Sequence, residues 1–277
     1  MPDPECYGTP IEYQTMLVAL TCFLLLTLPA LAVAGALGAP NDIAFTAAAD
    51  GSTEHYVELL PEGFDAAKEH AVLIAFHGHG SDRWQFVREA RDECRAARDV
   101  AAKHGMIFVS PDYRATTSWM GPKADADTVQ LIGELKKRHR LGRVILVGGS
   151  MGGTAVLTFA AMHPDLVDGV CSLNGTANLL EYTNFQDAIE QSFGGKKADL
   201  PLEYKNRSAE YWPERLTMPL AVTTGGKDTS VPPDSVLRLA DILTKLGRKV
   251  LHIHRPEGGH STNYEDAVRA LEFVVGS

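Results

Sequence analysis

A serine set among glycines is the residue in this sequence best placed to do chemistry. Ser150 lies in "GGSMGG" (148–153), between the apolar run "RVILV" and a helical pattern that begins at Met151. This G-x-S-x-G pattern is typical of a nucleophile elbow, a sharp strand-to-helix turn that raises the serine hydroxyl above a sheet. The amide groups and the positive dipole end of the following helix then face the hydroxyl oxygen. The pattern predicts that Ser150 attacks a carbonyl carbon.

A serine hydroxyl is a weak nucleophile at neutral pH, so it requires a base that is itself oriented by an acid. His260, in "RPEGGHST", follows the last strand pattern of the sequence. Asp228, in "TTGGKDTSVPP", follows the strand pattern before it. We therefore predict His260 as the base and Asp228 as the acid. Asp234 and Glu257 are the alternative acids.

The attacked carbonyl also needs hydrogen-bond donors for its developing negative charge. The backbone N–H of Met151, directly after the nucleophile, is one predicted donor. The other is expected from the loop "HGHG" (77–80), where we favour the N–H of His79 over that of Gly80. For the His77 side chain we predict a structural role, bonded to backbone.

A metal-dependent hydrolase is the alternative interpretation of "HGHGSD" (77–82), because His-x-His followed by Asp is typical of metal ligands. The aspartate is one position late for that motif, and a second His-x-His, at His252 and His254, falls within a strand pattern. We expect neither a metal nor another cofactor.

Short apolar runs alternate with helical patterns along the chain, as in a mostly parallel sheet with helices on both faces. The fold class expected is therefore α/β. Ligands of such sheets bind at the carboxyl ends of the strands, where Ser150, Asp228 and His260 are expected. The predicted strands are 55–61, 71–78, 106–114, 143–150, 167–175, 218–226 and 249–259, and the predicted helices are 84–104, 124–140, 151–163, 235–246 and 265–275.

Residues 176–216 are too long for an ordinary connection and are interpreted as an excursion over the strand ends. We expect helices in "TNFQDAIEQSFGG" and "SAEYWPERL" within this segment. The segment is expected to form a lid or a substrate wall, with a passive insertion as the alternative. Aromatic residues of this excursion, Tyr182 and Trp212, are candidate substrate contacts, together with Trp119 after an earlier strand. Core packing is the alternative role for each of them.

The N-terminus carries an uncharged apolar run, "MLVALTCFLLLTLPALAVAGALGA" (16–39), with the small residues Ala32-Val33-Ala34. We interpret residues 1–39 as a cleaved signal peptide or an N-terminal membrane anchor, and residues 40–277 as one catalytic domain. The protein is then secreted or periplasmic, or else held at a membrane. Two cysteines remain outside this leader, Cys94 and Cys171, and we expect buried free thiols, with a disulfide as the alternative.

The formal net charge of −9, with no basic stripe, excludes the footprint of a nucleic-acid-binding protein. A small-molecule ester is the partner expected.

The patterns HGxG, GxSxG, Gly-x-x-Asp followed by "VPP", and GGH resemble the α/β-hydrolase superfamily of serine hydrolases over residues 55–275. The stretch "YKNRSAEYWPERLTMPLAVTTGGKDTSVPP" resembles prolyl oligopeptidase and dienelactone hydrolase-like catalytic domains, and secreted feruloyl esterase-like and polyhydroxybutyrate depolymerase-like enzymes share the layout. The resemblance implies Ser150 as nucleophile, Asp228 as acid and His260 as base.

Oligopeptidases carry a propeller domain, which we do not expect in this sequence, and dienelactone hydrolases use a cysteine where this chain has serine. Both differences favour a general carboxylic ester hydrolase. A serine peptidase of prolyl oligopeptidase-like type is the alternative function. A non-catalytic binding protein on the same fold is the third.

Overall fold

The structure is a computed structural model, and it describes residues 35–277. Eight strands form one sheet in the order β1-β2-β4-β3-β5-β6-β7-β8. The strands are Asn41–Thr46 (β1), Thr53–Leu59 (β2), His70–Phe76 (β3), Ile107–Pro111 (β4), Leu141–Gly149 (β5), Gly169–Leu173 (β6), Leu220–Gly225 (β7) and Val250–Arg255 (β8).

The six strands β3 to β8 run parallel to one another, and the antiparallel pairs are β1 with β2 and β2 with β4. This arrangement confirms the predicted mostly parallel α/β fold. Because the six parallel strands end at one edge, the loops after β3, β5, β7 and β8 meet there.

Helices cover both faces of the sheet. They are Gln85–Arg88 (α1), Asp92–Lys103 (α2), Pro122–Arg138 (α3), Met151–Met162 (α4), Gln186–Phe193 (α5), Pro201–Asn206 (α6), Asp234–Lys245 (α7) and Tyr264–Val275 (α8). Residues of α3, α4 and α7 form one apolar core with the sheet, and residues of α1, α2 and α8 form the other.

The central strand β3 shows why both faces must be covered. Val72, Ile74 and Phe76 point into one core, and Leu73 and Ala75 into the other, all fully buried. The sequence of a strand buried on both faces is therefore a continuous apolar run, without alternation of apolar and polar residues. Burying each of its large side chains contributes about 1.5–3 kcal/mol.

The predicted helix 84–104 is wrong, because the structure divides it into α1 and α2. Arg98 explains the break, since its guanidinium donates to the carbonyl oxygens of Phe86 (2.6 Å) and Glu89 (3.0 Å) at the end of α1. Those carbonyls therefore need no helical partner further along the chain. Strand β1 was not predicted from the sequence.

The excursion contains α5 and α6, and two short 3₁₀ turns at Ala209–Tyr211 and Pro213–Arg215. The predicted helix within "TNFQDAIEQSFGG" is confirmed, whereas "SAEYWPERL" forms only the two turns, and α6 was missed. Leu179, Ile189 and Phe193 of the excursion are buried in the same core as α4. The excursion is therefore an integral part of the domain.

Most of the predicted leader, residues 1–34, lies outside the described residues. Residues 35–39, the rest of the predicted leader, are described. Among them, the Gly38 N–H donates to the carbonyl of Leu60, directly after β2 (2.8 Å). Within residues 35–277, every helix is too short or too polar to cross a bilayer. Cys94 and Cys171 are buried free thiols, as expected, and burial raises the pKa of the Cys94 thiol to about 12.

Candidate active site

Ser150 occupies the turn between β5 and α4 in a strained backbone conformation. Its φ of 58° and ψ of −119° lie in a region that non-glycine residues rarely adopt, at a cost of about 1–3 kcal/mol. Two backbone hydrogen bonds hold it there: the Ser150 N–H donates to the Leu173 carbonyl (2.8 Å), and the Ser150 carbonyl accepts from the Thr154 N–H (3.0 Å). The geometry is that of a nucleophile elbow.

The glycines flanking Ser150 are required by close backbone approach. A side-chain carbon at Gly148 would overlap the carbonyl group of Gly152. One at Gly152 would overlap the carbonyl oxygens of Phe76 and His77 at the end of β3. Strand and helix pack this tightly only because neither residue carries a Cβ atom.

His260 and Asp228 complete a hydrogen-bonded relay with the serine. The Ser150 Oγ lies 2.8 Å from His260 Nε2, and His260 Nδ1 lies 2.7 Å from Asp228 Oδ2. The other carboxylate oxygen of Asp228, Oδ1, accepts from the backbone N–H groups of Ser230 (3.0 Å) and Val231 (2.8 Å). Asp228 is therefore fixed with one oxygen aimed at the imidazole.

The two alternative acids lie elsewhere. Glu257 forms an ion pair with Lys227, and its side chain is 82% exposed. Asp234 is the first residue of α7, and no hydrogen bond joins it to His260 within residues 35–277. The structure thus brings together the three residues first predicted from the sequence, and neither of the alternatives.

The loop that carries His260 is tied at both ends. Arg255, the last residue of β8, donates two hydrogen bonds to Asp266 of α8 (2.8 and 2.6 Å). Asn263 caps α8 by accepting from the Asp266 N–H (2.9 Å), and Thr262 donates to Asn174 Oδ1 (2.5 Å) after β6. These contacts hold the imidazole beside the elbow.

The sequence profile of the prolyl oligopeptidase family (Peptidase_S9) matches residues 96–274, well over half of the chain. The chain belongs to the prolyl oligopeptidase family. It is a serine hydrolase with the α/β-hydrolase fold.

A curated relative of this family member is the sn-1-specific diacylglycerol lipase ABHD11 of Danio rerio. The two are 29% identical over 163 residues, which cover 56% of this chain and 48% of the lipase. The chain thus spans about half the length of that relative.

Two solved structures share the fold of this prolyl oligopeptidase-family chain. Pyrococcus horikoshii acylaminoacyl peptidase superposes with a TM-score of 0.66 at 16% identity, covering 87% of this chain and 41% of the peptidase. FphF, a fluorophosphonate-binding serine hydrolase of Staphylococcus aureus, superposes with a TM-score of 0.66 at 18% identity, covering 87% and 99%. At these identities the likeness concerns the fold.

The loop after β3 presents the predicted oxyanion donor of this family member. The Gly78 N–H donates to Gln85 Oε1 (2.7 Å), and the Gly80 N–H donates to the Thr116 carbonyl (2.7 Å). Gly80 is therefore a poor alternative, because its amide is already bonded. The His79 N–H between them has no hydrogen-bond partner within residues 35–277. Met151, the other predicted donor, is the first residue of α4, where no helical acceptor precedes its N–H.

The histidine side chains outside the relay bond to neighbouring polar groups of the protein. His77 is fully buried, with Nδ1 2.9 Å from the Gly78 carbonyl oxygen and Nε2 3.2 Å from that of Asp112. Burial lowers the pKa of His77, so the ring is neutral and donates to one of these oxygens. His252 and His254 both contact Thr224 Oγ1 (2.8 and 2.9 Å). Within the described range 35–277, no cluster of three or more acidic, histidine or cysteine side chains is arranged to hold a metal ion.

The three aromatic substrate candidates have different surroundings. Trp119 is completely buried and donates from Nε1 to His79 Nδ1 (3.1 Å), so it supports the loop that carries His79 and has no surface open to a ligand. Tyr182 is also buried, and its hydroxyl donates to the Ser230 carbonyl (2.8 Å) in the loop after Asp228. Trp212 packs against Arg215 and Lys205 within the excursion. Core packing, the alternative role, thus describes Trp119 and Tyr182.

Three polar residues that sequence reasoning missed line the cleft beside Ser150: Gln85, Arg91 and Glu93. Arg91 and Glu93 form an ion pair (3.3 Å) at the start of α2. The sequence placed all three within one continuous helix, and no periodic signal marks them as a cleft wall. The hydrogen bond between Gly78 and Gln85, seven residues apart, becomes evident only from the fold.

Proposed function

We propose that this protein is a carboxylic ester hydrolase that works through a Ser150–His260–Asp228 triad and an acyl-enzyme intermediate. The observation that carries the proposal is the unbroken relay from Ser150 Oγ through both ring nitrogens of His260 to Asp228, with distances of 2.8 and 2.7 Å. Such a relay lets the imidazole take the serine proton as the oxygen attacks.

In the first half of the reaction, Ser150 Oγ bonds to the ester carbonyl carbon, and its proton moves to His260 Nε2. The carbonyl oxygen becomes negatively charged and accepts from the N–H groups of Met151 and His79. When the tetrahedral intermediate collapses, the carbon–oxygen bond to the leaving alcohol breaks. His260 Nε2–H gives its proton to that alcohol, which leaves the acyl group on Ser150.

In the second half, a water molecule replaces the alcohol. His260 takes one water proton while the hydroxyl attacks the acyl carbon, and it then returns the proton to Ser150 Oγ as the acid departs. Throughout, Asp228 Oδ2 keeps the proton of His260 on Nδ1 and stabilises the charged imidazolium. Its own orientation is fixed by the Ser230 and Val231 amides.

The preference for esters is supported by the lipase named among the relatives, which is an ester hydrolase. The alternative is a serine peptidase, supported by the family itself and by the acylaminoacyl peptidase among the structural neighbours. Both reactions use the same relay and differ in the leaving group.

We further propose that the excursion forms one wall of the substrate site. Asn184 donates to the carbonyl oxygens of Thr229 (3.0 Å) and Ser230 (2.9 Å) in the acid loop. Phe185, which is 40% exposed, packs against His79 with ring centroids 4.5 Å apart and the ring planes tilted by 44°. Residues of the excursion thus contact both the loop of Asp228 and the oxyanion loop.

The test is a panel of p-nitrophenyl esters of varied acyl length and aromaticity, run beside aminoacyl anilides. We expect ester turnover to exceed anilide turnover. In the Ser150→Ala variant, we expect ester turnover to fall roughly 10⁴- to 10⁶-fold. Faster anilide cleavage would favour the peptidase. Full activity of Ser150→Ala would refute the mechanism, and a folded wild type that a fluorophosphonate does not label would favour a non-catalytic binding protein.

A further inference from the structure

Asn174, directly after β6, lies where the segments of the nucleophile and of the acid are bonded to each other. The carbonyl of Leu173, the preceding residue, accepts from the Ser150 N–H (2.8 Å). The Asn174 N–H donates to the carbonyl of Thr223 (3.1 Å), on the strand β7 that leads to Asp228. The end of β6 therefore holds the backbone of both segments.

The side chain of Asn174 extends this connection to the segment that carries His260. Its Oδ1 accepts from the Thr262 hydroxyl at 2.5 Å. The Thr223 hydroxyl lies 2.6 Å from that of Thr262 and 3.5 Å from Asn174 Oδ1. Because a carboxamide oxygen can only accept, the Thr262 proton goes to Asn174, and Thr223 donates to Thr262 in turn. The three side chains thus form one series of hydrogen bonds with a fixed direction.

All three side chains of this series are buried. Asn174, Thr223 and Thr262 are 5%, 4% and 6% exposed. A buried polar group that loses its partner bears the cost of its desolvation, so Thr262 cannot move away from Asn174 without leaving polar atoms unpaired. The bond therefore restrains the backbone two residues after His260.

The backbone of Asn174 explains why asparagine suits this position. Its φ of 51° lies in the left-handed region, which asparagine tolerates better than most residues that carry a side chain. Glycine adopts this φ as easily but offers no acceptor. Asparagine combines the turn after β6 with a carboxamide oxygen for Thr262.

The bond at Thr262 lies on one side of His260, and a separate bond lies on the other. The Lys227 N–H donates to the carbonyl of Gly258 (2.8 Å), two residues before His260. Losing the Thr262 bond would leave this second bond intact, so the imidazole would shift without detaching. A shift of about 1 Å in a catalytic group can lower the rate roughly 10²-fold.

We propose that Asn174 and Thr262 are positioning residues, which hold His260 in line with Ser150 through the bond between their side chains. They act through the imidazole and not on the substrate. The inference rests on the proposed function of Ser150, because it assigns a role in that reaction.

A fluorophosphonate probe tests the proposal without knowledge of the natural substrate. Ser150 Oγ bonds to phosphorus, the phosphorus–fluorine bond breaks, fluoride leaves, and the serine proton passes to His260. The rate constant of labelling at saturation, kinact, and the concentration for half-saturation, KI, are measured separately. A displaced base lowers kinact, because the serine proton must be removed as the new bond forms, and it leaves KI unchanged.

Three substitutions isolate the bond. Asn174→Gly keeps the left-handed backbone and removes the acceptor. Thr262→Val keeps the size and removes the donor, whereas Thr262→Ser keeps the hydroxyl and is the conservative rescue. Thr128→Val is the matched control, because Thr128 is also a buried threonine (1% exposed), and its hydroxyl donates to the Ala124 carbonyl (2.8 Å) within α3.

We expect kinact to fall about 10- to 10²-fold in both Asn174→Gly and Thr262→Val, with KI within about threefold of wild type. Thr262→Ser and Thr128→Val should stay within about threefold of wild type in both constants. The double variant Asn174→Gly/Thr262→Val should be no slower than the slower single variant, because both changes break the same bond.

Several results would overturn the proposal. Loss in Asn174→Gly alone, or a raised KI with kinact unchanged, would indicate direct contact with the probe, since Asn174 also lines the cleft. Loss in Thr262→Val alone would show that this hydroxyl acts through Thr223. Loss in Thr262→Ser as well would show that the methyl group matters, and multiplied losses in the double variant would show two independent effects. Wild-type labelling of both variants would leave the bond without a role.

Folding and the underlying function are controlled separately. Urea unfolding of each variant identifies a loss that comes from misfolding. If Asn174→Gly does not fold, the two Thr262 variants decide: a slow Thr262→Val with Thr262→Ser at the wild-type rate supports the proposal, and any other result refutes it. A folded wild type that is not labelled overturns the function proposed for Ser150, and the positioning role with it. A labelled wild type with unaffected variants overturns the positioning role alone.

Discussion

Replacing Asp228 by asparagine is the sharpest perturbation of the proposed relay. The backbone N–H groups of Ser230 and Val231 donate to one oxygen of this side chain, at 3.0 and 2.8 Å. An asparagine must therefore keep its oxygen there and turn its NH₂ group toward His260. The NH₂ group can only donate, so His260 Nδ1 becomes an acceptor and the ring proton moves to Nε2.

The size of the effect follows from this change of tautomer. With its proton on Nε2, the imidazole donates to Ser150 Oγ and has no lone pair there to accept the serine proton. The base is present but in the wrong form, and the negative charge that stabilises the imidazolium is also lost. In serine proteases with a Ser-His-Asp triad, the same substitution lowers kcat about 10⁴-fold. At about 1.4 kcal/mol per factor of ten, this corresponds to about 5.5 kcal/mol of transition-state stabilisation.

The assay is kcat/KM on the best p-nitrophenyl ester, with urea unfolding to show that the variant is folded. Asp234→Asn and Glu257→Gln are matched controls, since they remove the two other acids that the sequence allowed. We expect a loss of about 10⁴-fold in Asp228→Asn and less than threefold in either control. A folded Asp228→Asn variant within tenfold of wild type, or a large loss in a control, would refute the assignment of the acid.

Two further predictions concern stability. Gly152→Ala should lower the free energy of unfolding by at least about 1–3 kcal/mol, because its Cβ overlaps the Phe76 carbonyl, whereas Gly133→Ala, in open space on α3, should be neutral or stabilising in urea titrations. Burial raises the pKa of Asp127 to about 6, although the Arg114 guanidinium that donates to this carboxylate (2.8 Å) acts in the opposite direction, so the folded state holds a proton that the unfolded state releases above about pH 4. Relative to Asp127→Asn, wild type should therefore become less stable in urea as the pH rises from about 4 to about 6, by about 1 kcal/mol once solvent screening is allowed for, and equal pH profiles of the two proteins would contradict this.

The sequence predicted those parts of the fold and site that depend on local patterns. A buried strand, a glycine-flanked serine and a helix lie next to one another in the chain, so the elbow at Ser150 was visible without coordinates. The order of strand ends likewise located Asp228 and His260, because parallel strands place their carboxyl ends at one edge.

The parts that the sequence did not predict depend on contacts between distant residues. The break between α1 and α2 arises because the Arg98 side chain satisfies two carbonyl groups of the preceding helix, which no local propensity records. Trp119 looked like a substrate contact because aromatic residues near strand ends suit either a pocket or a core. Its burial follows from packing against Phe185 of the excursion. Gln85 was missed for the same reason, since its partner Gly78 belongs to another element.

The ion pair between Arg255 and Asp266 joins the two ends of the segment that carries His260, through two charge-assisted hydrogen bonds. These bonds restrict the conformations that the segment can adopt once the chain is folded. Part of the entropy cost of placing the imidazole is therefore met when the chain folds, before a substrate binds. In the proposed reaction the base, His260, thus lies beside Ser150 before the substrate binds.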